Sequence, residues 1–195
     1  MSILLIACGA LARELITLRD LRGWNAKILA LPVLLHNTPE KIPAAIRQRI
    51  EDERASFERV LVVYGDCGTG GMLDRLLAEM DIERIEGPHC YEQHAGNDVF
   101  TQMMDEKPGT YFLTDYLVQS FDHLVIESLG LDRFPELRDM YFGNYERVVY
   151  LQQREDPTLL EKAEQAAAML SLPLELHFTG LDSLESRIIA RLGKL

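Results

Sequence analysis

The chain contains 195 residues with a formal net charge of −11. Hydrophobic residues make up 47% and charged residues 26%, which is the balance of a globular protein with a packed core. The acidic charge argues against a nucleic-acid partner, because such binding requires Lys and Arg to neutralise phosphates. No apolar run approaches the roughly 20 residues that a membrane-spanning helix needs, so no membrane partner is expected.

The first half of the chain alternates short apolar runs with helical patterns. Ile3 to Ala7 form a continuous apolar run, typical of a strand buried on both faces. Helical spacing then continues to Arg22, where Gly23 ends the helix. Further strands are predicted at residues 26–31, 59–64 and 84–86, and further helices at residues 40–56, capped by Thr38, and 72–80.

The second half continues the alternation. The pattern predicts strands at residues 110–113, 148–151 and 174–178, and helices starting near residue 97 and over 159–170 and 181–192. Helical spacing also covers residues 116–141, in two pieces interrupted near Gly130 and Pro135. Strands that alternate with helices indicate parallel βαβ units. The fold class expected is therefore α/β, a doubly wound, mostly parallel sheet flanked by helices in a Rossmann- or flavodoxin-like three-layer sandwich. We expect one domain over residues 1–195, with residues 148–195 as an alternative smaller C-terminal portion.

The three cysteines bear on both compartment and chemistry. An odd number outside any extracellular framework is typical of reduced cytoplasmic thiols. The first strand is too short for a signal peptide and no basic region precedes it, so a cytoplasmic location is expected. The sequence leaves the oligomeric state open.

Thiol and imidazole side chains follow the predicted strands. The residues at these strand ends are, in chain order, Cys8, His36, Cys67, His89 with Cys90, and Thr114 with Asp115. Because the carboxyl ends of parallel strands share one edge of a sheet, where ligands bind, we expect these residues to meet in one crevice.

Thiolate and imidazole are ligands that zinc and iron–sulfur centres prefer. The predicted metal ligands are Cys8, Cys67, Cys90 and His89, and the predicted acid–base residues are His36, His89 and Asp66. Three cysteines suit an iron–sulfur cluster with one open iron, whereas two cysteines and a histidine leave zinc an open position. A metal-free thiol nucleophile, activated by a histidine or a helix N-terminus, is a third alternative.

A glycine-rich segment at residues 65–71 lies between a predicted strand and helix, where phosphate loops occur. It lacks both the G-x-G-x-x-G spacing and the Walker lysine, so nucleotide binding is not predicted. Its glycines would allow a ligand close to the backbone, and its amides could hold an anion. The predicted cofactor-binding residues are Gly9, Tyr64, Gly65, Gly68, Gly70 and Thr114.

These segments together resemble a bacterial and archaeal family catalogued as a domain of unknown function. The shared motifs are a Cys-Gly pair at residues 8–9, Leu-His-x-x-Pro at 35–39, Tyr-Gly-x-Cys-Gly-x-Gly at 64–70, a His/Cys loop at 88–90 and Gly-Thr-x-x-Leu-Thr at 109–114. The resemblance covers about the first 150 residues. In the family an aspartate usually separates the histidine from the cysteine of the fourth loop, whereas His89 and Cys90 are adjacent here, which leaves His94 as the alternative to His89.

The resemblance also implies a setting. Members of the family are frequently encoded beside corrinoid-dependent methyltransferases that act on methylated amines. The resemblance implies a one-carbon or methyl-transfer setting, with a small-molecule substrate and a corrinoid protein or methyltransferase as partner. Combined with the predicted thiol and imidazole ligands, it favours a metal-dependent enzyme of that metabolism. A non-catalytic accessory protein of such a system is the alternative.

Overall fold

The structure, a computed structural model, describes residues 2–193. Its strands are β1 (Ile3–Cys8), β2 (Ala26–Leu31), β3 (Arg59–Val63), β4 (Glu83–Arg84), β5 (Thr110–Thr114), β6 (Arg147–Gln152) and β7 (Leu174–Phe178). Its α-helices are α1 (Ala12–Arg22), α2 (Ile42–Glu53), α3 (Met72–Met80), α4 (Cys90–Ala95), α5 (Asn97–Glu106), α6 (Asp115–Gln119), α7 (Leu137–Phe142), α8 (Pro157–Leu170) and α9 (Asp182–Leu192). Short 3₁₀ turns, including Val33–Asn37, and a π-helix at Asp122–Glu127 complete the elements.

The strands form two sheets, and every pairing in both is parallel. The first has the order β2-β1-β3-β4 and the second β5-β6-β7. The described chain divides accordingly into two compact units, residues 2–93 with 181–193 and residues 94–180. The α/β fold class with helices flanking parallel sheets is confirmed, but the strands belong to two sheets and not to the single sheet expected.

The first unit is built around β1, whose six residues are all buried. Helices α1, α2, α3 and α9 supply leucines and isoleucines to the same core. A strand buried on both faces needs a continuous apolar sequence, which explains the Ile3–Cys8 run. The sheet order reverses direction between β1 and β3, which makes the gap between their carboxyl ends the topological switch point of this unit.

The second unit has β6 at its centre, between β5 and β7. Its core joins these strands to α6, α7 and α8 through residues such as Leu113, Tyr150 and Ala163. The carboxyl ends of β5 and β6 carry a buried polar network, in which the Tyr150 hydroxyl donates to Asp115 at 2.7 Å. The amide of Asp115 in turn donates to the Gln153 side chain at 2.7 Å.

Most predicted elements are present within one to three residues of their expected bounds. Turns at residues 128–133 and 135–136 lie where the interruption of the 116–141 stretch near Gly130 and Pro135 was predicted, whereas the break after α6 near Ser120 was not predicted. Thr38 does not cap the following helix through its side chain. Within residues 2–193, none of the helices combines the length and apolar character that crossing a bilayer requires.

Candidate thiol–imidazole site

The first side of the site lies at the switch point of the first unit, where Cys8 ends β1. The Cys8 thiol is 1% exposed and accepts a hydrogen bond from the Ala10 amide at 3.4 Å. Gly9 allows the end of β1 to approach the end of β2 closely, because a Cβ at this position would lie 2.7 Å from the carbonyl oxygen of Leu31. The end of β1 is thereby packed against the end of β2, and the segment that follows β2 carries His36.

His36 is oriented toward Cys8 by a second hydrogen bond. Its Nδ1 lies 2.8 Å from the carbonyl oxygen of Val33, and since a carbonyl only accepts, Nδ1 carries the proton. Neutral His36 therefore presents an unprotonated Nε2, which lies 4.0 Å from Cys8 Sγ. The imidazole also stacks on Tyr64, with ring centroids 5.7 Å apart and planes 17° apart.

The second side of the site consists of two loops bonded through their backbones. The glycine loop (residues 65–71) donates from the amide of Asp66 to the Gly87 carbonyl at 3.1 Å and from that of Cys67 to the Pro88 carbonyl at 2.7 Å. These acceptors belong to the His-Cys loop (residues 87–90). Gly65 makes the close approach possible, because a Cβ there would lie 2.6 Å from His89 Cα. The bonds bring Cys67 and Cys90 to the same edge as Cys8.

The three thiols, which we call the thiol cluster (Cys8, Cys67 and Cys90), are all free and interact electrostatically. Burial raises the pKa of Cys8 to about 11. Burial, followed by the charge of Cys8, raises the pKa of Cys67 to about 12. The pKa of Cys90 is raised well above its usual value by burial and by the charges of both other cysteines. Because the charge of Cys8 acts on Cys67 and the charges of both act on Cys90, the three thiols lie in one region of the first unit, and their joint binding of a metal stays a prediction.

Tyr64 lies among these groups at the end of β3. Its side chain is fully buried, and its hydroxyl lies beside Cys8 without a hydrogen bond of ordinary geometry to any described residue. Burial and the charges of Cys8, Cys67 and Cys90 raise its pKa. Tyr64 was predicted to bind a cofactor, and the structure places it against both His36 and the thiol cluster.

Asp66 organises the glycine loop. Its carboxylate accepts hydrogen bonds from the Thr69 hydroxyl at 2.6 Å and from the amides of Gly70 and Gly71 at 3.1 and 2.9 Å. Burial acts to raise its pKa, but these bonds and Arg84 outweigh burial and lower it. Catalysis by Asp66 stays a prediction, since the bonds described give its carboxylate a role in holding the loop.

The same bonds correct one expectation about the loop. An anion held by backbone amides needs several of them to point toward the ligand. The amides of Asp66, Cys67, Thr69, Gly70 and Gly71 all donate to protein acceptors within the first unit. The loop is therefore not shaped as an amide cradle, and Gly68 and Gly70, with φ of +85° and +59°, serve its left-handed turns.

Two further predicted site residues, His89 and Thr114, belong to different units. The His89 ring packs on Tyr91 with centroids 5.2 Å apart, and burial lowers its pKa. His89 belongs to the His-Cys loop, and its role as ligand or acid–base residue stays a prediction. Thr114 ends β5, which pairs with β6, so it lies at the edge of the second sheet and caps α6 by accepting from the Leu117 amide. The expectation that Thr114 lies at the same sheet edge as the cysteines is wrong.

Two charged residues of this region were not among the predicted site residues. Glu14 on α1 is 3% exposed, and its charge contributes to the raised pKa of Cys90. Its position three residues after Leu11 and four before Leu18 places it on the apolar face of α1, a signal that was available in the sequence. Arg84 donates from one nitrogen to the carbonyls of Tyr64, Ile85 and Gly87, and pairs with Asp74 at 2.5 Å. No local motif indicates that role.

Within residues 2–193, no three His, Cys, Asp or Glu side chains already stand in the geometry of a metal site.

The profile of one protein family, described as a protein of unknown function (DUF1638), matches residues 30–188. The chain belongs to this DUF1638 family. The match includes His36 and the loops of Cys67 and Cys90, and it extends past the region of resemblance recognised from the motifs. No curated protein matches the DUF1638 chain.

Proposed function

We propose that this DUF1638 protein is a metal-dependent enzyme whose zinc ion or iron–sulfur cluster is held by the thiol cluster with His36. The observation that carries the proposal is the orientation of His36. Its Nδ1 is fixed on the Val33 carbonyl and its Nε2 faces Cys8 Sγ at 4.0 Å. A histidine that binds metal commonly donates its other ring N–H to a backbone carbonyl, which fixes both the tautomer and the ring direction.

The distance supports the same interpretation. Sulfur and nitrogen ligands of a tetrahedral zinc ion, at about 2.3 and 2.0 Å from the metal, lie about 3.5 Å apart. The 4.0 Å between Cys8 Sγ and His36 Nε2 requires an adjustment of about 0.5 Å to reach that separation. The backbone bonds between the two loops join the segments that carry Cys67 and Cys90, the two thiols proposed to complete the ligand set. A cation would also offset the mutual repulsion of thiolates.

The metal-free alternative receives less support. A nucleophilic cysteine needs a pKa near or below neutrality, set by a nearby cation or a helix N-terminus. Here burial is the largest cause acting on each of the three thiols, and it raises every pKa above the usual value. Without a metal these thiols would be protonated at neutral pH, so the metal-dependent function is the better proposal.

The substrate class enters through the family resemblance. One-carbon or methyl transfer on methylated amines remains the proposed setting, with a corrinoid protein or methyltransferase as partner. When one of the four proposed ligands gives way to the substrate, the thiol-bound metal would supply the Lewis acid for that chemistry, either by activating a thiol or by polarising a substrate. His89 and Asp66 remain the proposed acid–base residues, whereas His36, predicted as an acid–base residue, is proposed here as a ligand.

Elemental analysis of protein purified without oxygen tests the proposal. A zinc site should give about one equivalent of zinc per chain and a colourless protein. An iron–sulfur cluster should give iron and visible absorption at about 400 nm. Cys8→Ser, Cys67→Ser, Cys90→Ser and His36→Ala should each lower the metal content severalfold. His123→Ala is the matched control, because that imidazole is largely exposed. A folded wild-type protein that contains and takes up neither metal would contradict the proposal.

A further inference from the structure

Gln93 is a buried polar residue that the proposed metal centre does not use. Its side chain is 0% exposed, and both its amide nitrogen and its amide oxygen lack a hydrogen-bond partner among the described residues. Buried amide groups are rarely left in this state, because each unmade hydrogen bond is unfavourable. A side chain with both polar atoms unused points to a ligand that uses them.

The location of Gln93 connects it to the thiol cluster. It follows Cys90 by three residues on α4, so the two side chains leave the helix on the same face. Its Cγ lies 3.7 Å from where a Cβ on Gly87 would be, which places the side chain over the His-Cys loop. Gln93 is therefore one helical turn from a proposed ligand and in contact with the loop that carries it.

Helix α4 is held in this position by α9. Arg187 donates to the carbonyl oxygen of Glu86 at 3.0 Å and to that of Glu92 at 3.4 Å, and it pairs with the Glu92 carboxylate at 3.3 Å. Glu92 is itself almost fully buried. The residue before Gln93 is thus fixed on both its backbone and its side chain, which gives the amide of Gln93 a defined position.

The chemistry of the amide specifies the ligand. A carboxamide presents one acceptor and one donor in a plane, and its complement offers a donor and an acceptor on neighbouring atoms. We infer that Gln93 binds a small neutral molecule bearing such a pair, a carboxamide or a protonated carboxylic acid. An ionic group would lack a counter-charge on Gln93, and burial of an unpaired charge is strongly unfavourable. The inference rests on the proposed function for the reactive centre, whereas the binding itself needs only Gln93.

Titration of the 195-residue protein with acetamide tests the inference. The side-chain NH₂ resonance of Gln93, assigned by its loss in Gln93→Met, should shift and saturate with acetamide. N,N-dimethylacetamide, which has no donor, should bind at least about tenfold more weakly, and Gln93→Met should weaken acetamide binding by a similar factor. Gln48→Met, a change at an exposed glutamine, should leave binding unchanged.

The stability of the variant separates a ligand role from a structural one. If the amide of Gln93 is paired only when a ligand is bound, Gln93→Met should keep or raise the Tm of the ligand-free protein, because methionine leaves no unpaired polar group. A fall of several degrees, or no saturable response to acetamide and acetic acid, would overturn the inference. Metal content is measured on the same samples: an acetamide response without metal contradicts the metal centre alone, and metal without an acetamide response contradicts this inference alone.

Discussion

His94 illustrates how a single buried residue makes the stability of this chain depend on pH. The imidazole is 2% exposed, and burial lowers its pKa from 6.5 to about 4. In the unfolded chain the ring takes up a proton near its usual pKa, whereas in the folded chain it stays neutral until about pH 4. Protonation between these values therefore favours the unfolded state, and stability falls as the pH decreases through this window.

The predicted consequence concerns urea unfolding at two pH values. Between pH 7.5 and pH 5 the wild-type free energy of unfolding should fall by about 2 kcal/mol on account of His94, at 1.36 kcal/mol per pKa unit. His94→Gln removes the titrating group, so the variant should lose about 2 kcal/mol less than the wild type over the same range. Equal pH dependence in the two proteins would show that His94 protonates freely in the folded state.

At the scale of elements, the sequence predicts best those helices and strands whose bounds are set by residues near one another in the chain. The apolar run at Ile3–Cys8, the stop at Gly23 and the β7 strand at Leu174–Phe178 all stand where the pattern places them. Helix α4 was not predicted, because its six residues contain too few apolar positions to show a period. Without α4, the burial of Gln93 and His94 was not visible in the sequence.

The part of the candidate site that could be predicted is the part whose residues follow the carboxyl ends of strands in one sheet. Cys8, Cys67 and Cys90 lie at one edge because β1, β3 and β4 belong to the same parallel sheet. Thr114 failed the same rule, since strand pairing is a long-range property and β5 pairs with β6. The orientation of His36 by the Val33 carbonyl, a bond within one 3₁₀ turn, is likewise invisible to spacing alone.

The contact between the two loops leads to a prediction at Gly65. A Cβ at this position would lie 2.6 Å from His89 Cα and 2.9 Å from its nitrogen, so a methyl group must separate the backbones that carry Cys67 and Cys90. Gly65→Ala should lower the free energy of unfolding by about 1–3 kcal/mol, as overpacking does, and should also reduce metal content.

Gly70→Ala provides the matched comparison within the same loop. Gly70 has open space around it, so its substitution carries only the strain of a positive φ, about 1–2 kcal/mol. Both free energies come from urea denaturation, and metal is measured on the same samples. Metal binding should therefore survive Gly70→Ala better than Gly65→Ala. If the two variants lost metal equally, the close approach of the glycine loop to the His-Cys loop would not be needed to position the thiols.

At the scale of the whole molecule, the first unit contains two segments that are far apart in the sequence. The chain leaves the first unit after Gln93, builds the second, and returns at Leu181. On its return α9 buries Leu184, Ile188 and Leu192 in the first core, and Arg59 donates to the carbonyls of Arg191 and Leu192 at 2.9 and 3.0 Å. The last helix therefore stabilises the unit that holds the thiol cluster.

Two core truncations test whether the units unfold separately. Ile188→Ala in α9 and Leu159→Ala in α8 each remove a side chain at most 2% exposed, at a cost of about 2–5 kcal/mol. If each unit opens cooperatively, hydrogen exchange should show Ile188→Ala lowering amide protection in β1 and β3, and Leu159→Ala lowering it in β6. Metal content should fall in the first variant and persist in the second. Equal loss of protection in β1 and β6 for both variants would mean that residues 1–195 unfold as one cooperative domain, and stability of the thiol cluster would then depend on both cores.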